Sequence, residues 1–148
     1  MDNLAAALVF EPPSAPSAQG APVRFDNQGV RPGSKADRAM RYLTARLGQK
    51  AAEGSGMCAA TLRHALGVSS LGDAYQWPQN LGRIGYFCVG RMGGEGVDAR
   101  PGDIVCMPWM AKGVGHVGLV GENGRYISNF QGRIIWKAVP NNALVFRE

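Results

Sequence analysis

Long apolar runs are missing from this chain. Its most apolar opening stretch, LAAALVF, falls well short of the roughly 20 residues that a helix needs to cross a bilayer, so no membrane span is expected. Signal-peptide features are missing as well: MDNLAAALVFEPP has an acid at position 2, no basic leading segment and a brief apolar stretch. Such a start predicts synthesis in a cytoplasm, with any outside target reached only by delivery. Cysteine is scarce. Cys58, Cys88 and Cys106 are an odd number, so they cannot complete a disulfide framework, and no CxxC pair suggests zinc. Only two histidines occur, His64 and His116. Walker loops, Rossmann fingerprints and HExxH segments are absent, so no cofactor and no metal are expected. The basic residues form no run of five or more, which argues against nucleic acid as a partner.

What is present suits one folded domain. A length of 148 residues, 45% of them hydrophobic and 18% charged, supports a single core. The 21 glycines point to many turns and short strands rather than a helical bundle. A net charge of +5 favours an anionic partner such as nucleic acid, a membrane surface or a cell-wall polymer.

Residues 1–34 read differently from the rest. EPPSAPSAQGAP carries four prolines among small residues and is expected to be extended or disordered when alone. It is either a plain disordered terminus or a docking arm, with LAAALVF as the apolar tip and the Pro-rich stem as spacer. A second unit, residues 35–148, then holds the fold. Ala36, Met40, Leu43 and Leu47 make one helical stripe, with Ser34 as its cap and Gly48 as its end. A second helix is predicted from Met57 to Leu66. A short third one falls in SLGDAYQWPQNLGRIG, with Pro78 in its first turn. YFCVG, DIVCMPW, HVGLVG, RYISNF, RIIWKAV and ALVFR read as strands. The fold class is therefore α+β, with N-terminal helices packed on a C-terminal antiparallel sheet.

Cys58 stands where the flexible GSGM gives way to the second helix. A thiol in the first turn feels the positive end of the helix dipole, which favours thiolate. His64 lies on the same helix but about 240° around it, so it points away and reads as a surface histidine. His116 opens the strand HVGLVG after a glycine-rich loop, at a sheet rim that can face a helix N-terminus. With Asn123 and Gly124 as the central residues of a hairpin turn, Gly118 is expected opposite Asn129, and His116 opposite Gln131. Asn129 would then share a face with His116 and could fix its tautomer, the third member that a Cys–His pair needs. A one-residue slip would put Ser128 there instead.

In order and spacing, GMCAATLRHAL, RPGDIVCM and GHVGLVGENGRYISNF resemble the NlpC/P60 and CHAP group of papain-like peptidoglycan hydrolases. The likeness covers about residues 35–138. At the cysteine the chain departs from the group's common Asp-Cys-Ser-Gly, with Met57-Cys58-Ala59-Ala60 in its place. The resemblance implies a papain-like fold and a cysteine endopeptidase or amidase that cuts an amide of the cell-wall stem peptide. It implies Cys58 as nucleophile, His116 as base and Asn129 as the residue that orients it, with the Cys58 N–H as oxyanion donor. It also suggests a phage virion or tail component that aids cell-wall penetration, binding a tail protein through the arm. The alternatives are a type VI secretion effector or a non-enzymatic structural module of a tail or injection apparatus.

Packing is the expected role of Cys88 and Cys106, and a turn-closing role that of Asp103. Core packing is the default for Tyr75, Trp77, Trp109 and Trp136; Trp109 is the first choice for a substrate-groove wall, with Trp77 the other candidate. Arg125 and Arg133 read as solvated turn charges.

Overall fold

A computed structural model describes residues 29–148, together with the backbone of two dipeptides, Ala5–Ala6 and Leu8–Val9, which pair in parallel. Most of the expected docking arm lies outside the described residues. Just before α1, Val30 joins the core, and a Cβ at Gly29 would lie 3.4 Å from the Pro101 ring.

Helix α1 spans Lys35–Thr44, and the Ser34 hydroxyl accepts the Asp37 N–H at 3.1 Å as its cap. Its stripe of Ala36, Ala39, Met40 and Leu43 is buried. The helix stops before Leu47, which is exposed rather than part of the stripe. Helix α2 spans Cys58–Leu66 and buries Cys58, Thr61, Leu62, Ala65 and Leu66. It ends at Gly67, in the left-handed region at φ 72°, whose N–H returns to Arg63 O and His64 O. A single turn, α3, covers Trp77–Asn80. Pro78 stands in its first turn, where its missing N–H would have had no partner.

Six strands form one antiparallel sheet: β1 (Phe87–Arg91), β2 (Ile104–Met107), β3 (His116–Val120), β4 (Arg125–Phe130), β5 (Arg133–Ala138) and β6 (Leu144–Arg147). Their order across the sheet is β1-β6-β2-β3-β4-β5. Alternation along each strand splits the core in two. Ile104, Cys106, Val117, Leu119 and Ile127 pack with α1 and α2. Val105, Met107, Val120, Tyr126 and Val145 pack on the opposite face. Cys106 is buried as expected. Cys88 is exposed on β1, the edge strand, and not packed as expected.

The β3–β4 hairpin corrects one expectation. Asn123 and Gly124 both take positive φ, 62° and 66°, as the centre of a turn. However, Gly121 N–H donates to Arg125 O, so Glu122 is an extra residue on the β3 side. The register becomes Leu119 opposite Ile127 and Val120 opposite Tyr126, one residue from that expected. Continued along the strands, it sets His116 level with Phe130 and Gly118 level with Ser128.

The C-terminal strand is tied by a charge pair. Asp103, 2% exposed, accepts Arg147 Nε at 3.0 Å and Nη2 at 2.8 Å, and also the Arg100 N–H at 2.8 Å. Removing the cation leaves a buried carboxylate uncompensated. Arg147→Met is expected to lower stability by about 3 kcal/mol, measured as a fall in the urea midpoint at pH 7 with an unchanged slope.

Candidate active site

Two glycines in the left-handed region, Gly54 and Gly56, turn the chain into α2, and Met57 caps the helix without a side-chain bond. The first-turn N–H groups therefore keep their donors free of a side-chain acceptor. The Cys58 side chain is buried in the helix-side core and reaches strand β3. Burial pushes its thiol up, and the N–H groups of Val117, Ala59 and Cys58 itself pull it back only in part. Against the expected bias toward thiolate, desolvation outweighs the N–H groups that face the sulfur.

His116 is 9% exposed and opens β3 on the face away from α2. Its ring lies 4.5 Å from that of Phe130 and stands edge-on to Tyr126 at 5.9 Å. Gly118 permits this arrangement, because a Cβ there would run into the Tyr126 ring. Nε2 of His116 is buried without a hydrogen-bond partner. Burial, and to a lesser degree the Lys137 ammonium, lowers its pKa to about 4. At neutral pH the thiol and the imidazole are both uncharged.

The sulfur lies against the Val117 N–H, next to the peptide that joins Val117 to His116. The field of Cys58 also reaches Tyr126, beyond the strand, where it adds to the burial that raises the phenol. The structure thus brings the thiol to the start of β3, at the residue next to His116, while the imidazole itself stacks in the aromatic cluster.

Asn129 does not meet His116. The Glu122 bulge turns it to the helix side, where Nδ2 donates to Gly54 O at 2.8 Å and to Thr61 Oγ1 at 3.0 Å. Its Oδ1 accepts the Gly132 N–H at 2.8 Å. Thr61 Oγ1 in turn donates to Glu53 at 2.8 Å, and Glu53 holds the ring of His64 at 3.0 Å. This chain of bonds fixes the loop before Cys58 and the first turns of α2. Sequence reasoning missed Glu53 and Thr61, whose only signal is their closeness to Cys58 along the chain.

A cavity of about 270 Å³ opens beside Cys58, lined by Met57, Arg63, Asp73, Gln76 and Val114 among others. Trp77 is not part of it. That ring is 0% exposed, and its Nε1 donates to Gly72 O, which makes it a core residue and removes it as a groove wall. Trp109 is 46% exposed in the segment between β2 and β3, outside the lining of this cavity.

A helix headed by cysteine, packed on an antiparallel sheet with a strand headed by histidine, defines a papain-like α+β hydrolase. Residues 47–132 match the CHAP domain family, and the chain belongs to that family. No curated protein matches it. Family membership supports peptidoglycan hydrolase function, amidase or peptidase, with peptidoglycan as substrate. Among the described residues, no helix is long and apolar enough to cross a membrane.

Proposed function

We propose that the chain is a cysteine-dependent peptidoglycan endopeptidase or amidase, with Cys58 as nucleophile and His116 as base. The observation that carries this reading is the buried thiol at the head of α2, lodged against the residue next to His116 and bordering an open cavity. The reaction follows from the neutral pair. As Sγ attacks the carbonyl carbon of the scissile amide, its proton passes to His116, which in this reading turns its imidazole out of the Phe130–Tyr126 cluster to reach the sulfur. The tetrahedral oxyanion takes the Cys58 N–H, which has no intrahelical acceptor. His116 then gives the proton to the leaving amine, and a thioester remains. Water adds to the thioester, its proton goes to His116, and the thiol is restored as the acid departs. Asn129 acts in this reading through Gly54 and Thr61, holding the nucleophile's helix instead of the imidazole.

The Pro-rich stretch 11–22 behind an apolar segment supports a tail-borne hydrolase whose arm docks on a virion protein. Mass spectrometry of products from purified sacculi tests the activity. Muropeptides with one new amine and one new acid, each cleavage adding one water, are expected and identify the bond. Release that persists after Cys58 is fully alkylated would overturn the reading.

A further inference from the structure

The β3–β4 ladder stops short of the site. It holds Val120 with Tyr126 and Leu119 with Ile127, and no further pair toward His116. Because Gly121 N–H donates to Arg125 O, the backbone groups of Arg125, Ile127 and Asn129 turn toward β3. Asn129 would therefore be the next ladder partner of Val117. In its place the Ser128 hydroxyl, in a residue 3% exposed, donates to Val117 O at 2.7 Å. One side-chain bond thus replaces a ladder pair at a single position. The Val117 N–H is left facing the Cys58 sulfur, within the same core cluster.

We propose that Ser128 is a positioning residue for Cys58: by taking the Val117 carbonyl, it keeps β3 and β4 apart and leaves the Val117 N–H as a second donor at the reacting centre. This rests on the reading of Cys58 as nucleophile. The amide stabilises negative charge as it develops on sulfur or on the attacked carbonyl oxygen, and the Cys58 N–H supplies the other donor. Without the Ser128 hydroxyl, the two strands zip one step further. Val117 O then accepts the Asn129 N–H, and the Val117 N–H turns from the sulfur to Asn129 O.

Threonine and valine at position 128 share one shape and differ in the hydroxyl, so the pair separates hydrogen bonding from packing. The full chain is alkylated with iodoacetamide across the range from pH 6 to pH 10, and Cys58 is followed by peptide mass spectrometry so that the exposed Cys88 does not interfere. Ser128→Val is expected to alkylate about tenfold more slowly at neutral pH, with the midpoint displaced upward. Ser128→Thr is expected to follow the parent. Identical profiles for the two variants overturn the proposal. If neither variant melts cooperatively, Ser128→Ala takes their place, and a parental profile in it has the same force. A Cys58→Ala protein that still releases muropeptides refutes the nucleophile instead, a result separable from any change in the alkylation profile.

Discussion

Cys58→Ala is expected to reduce muropeptide release from sacculi by about 10⁴-fold or more, to the level of buffer, because covalent catalysis fails without its nucleophile. The fold should survive. Alanine suits the first turn of a helix, and the lost sulfur leaves a gap smaller than one methylene-bearing side chain. The melting temperature should move by only a few degrees, which separates lost chemistry from lost structure. Cys58→Ser is expected to be equally silent. The imidazole that must take the proton has a pKa of about 4, too low to activate a hydroxyl. Cys88→Ser serves as the control, since that thiol is exposed on edge strand β1 and its loss should leave the rate unchanged. An active Cys58→Ala protein, or an inactive Cys88→Ser, would place the chemistry elsewhere.

Local patterns made the elements legible. Ser34 and Pro78 act through the backbone of their own turn, and each marks a helix start where the structure has one, whereas Gly48 does not end α1, which stops at Thr44 with Ala45 as its cap. The strands follow from runs of branched and aromatic residues, and the junction of glycines with α2 singled out Cys58. What stayed hidden depends on partners far along the chain. The Asn123–Gly124 turn was readable, but the extra residue Glu122 was not, and a slip of one position exchanges every side chain between faces. Asn129 was therefore assigned to the imidazole, while in the folded chain it holds the entry to α2. Ser128, the alternative, does lie on the His116 side by register but binds Val117 O. Trp77 follows the default of core packing and not the groove role; a sequence does not reveal which aromatic ring ends fully enclosed. Ionisation was hidden for the same reason. The helix dipole is a local property, whereas the desolvation that raises the thiol comes from the whole core around Cys58.

His116→Ala should cut the rate of release by about 10³-fold, and the pH dependence of the parent identifies why. A base with a pKa of about 4 remains unprotonated through weakly acid conditions. The acid limb of kcat/KM is therefore expected near pH 4, well below the usual histidine range. A midpoint between 6 and 7 would mean that the imidazole is solvated in the free enzyme instead of lodged among Phe130, Tyr126 and Lys137. Stability gives an independent reading with a fixed sign. Below an unfolded pKa of about 6.5 the unfolded chain binds a proton at this position, and the native chain does not until about pH 4. The contribution of the neutral, buried ring is thus complete above about pH 6.5 and declines as the pH falls toward 4, by about 3 kcal/mol across that window. His116→Phe keeps an aromatic ring beside Phe130 and removes the titration. Urea unfolding at pH 4.5 and 7.5 should show the parent losing more stability than this variant on acidification. Equal losses in the two proteins would show that His116 is as easily protonated folded as unfolded, and the neutral thiol–imidazole pair would have to be abandoned.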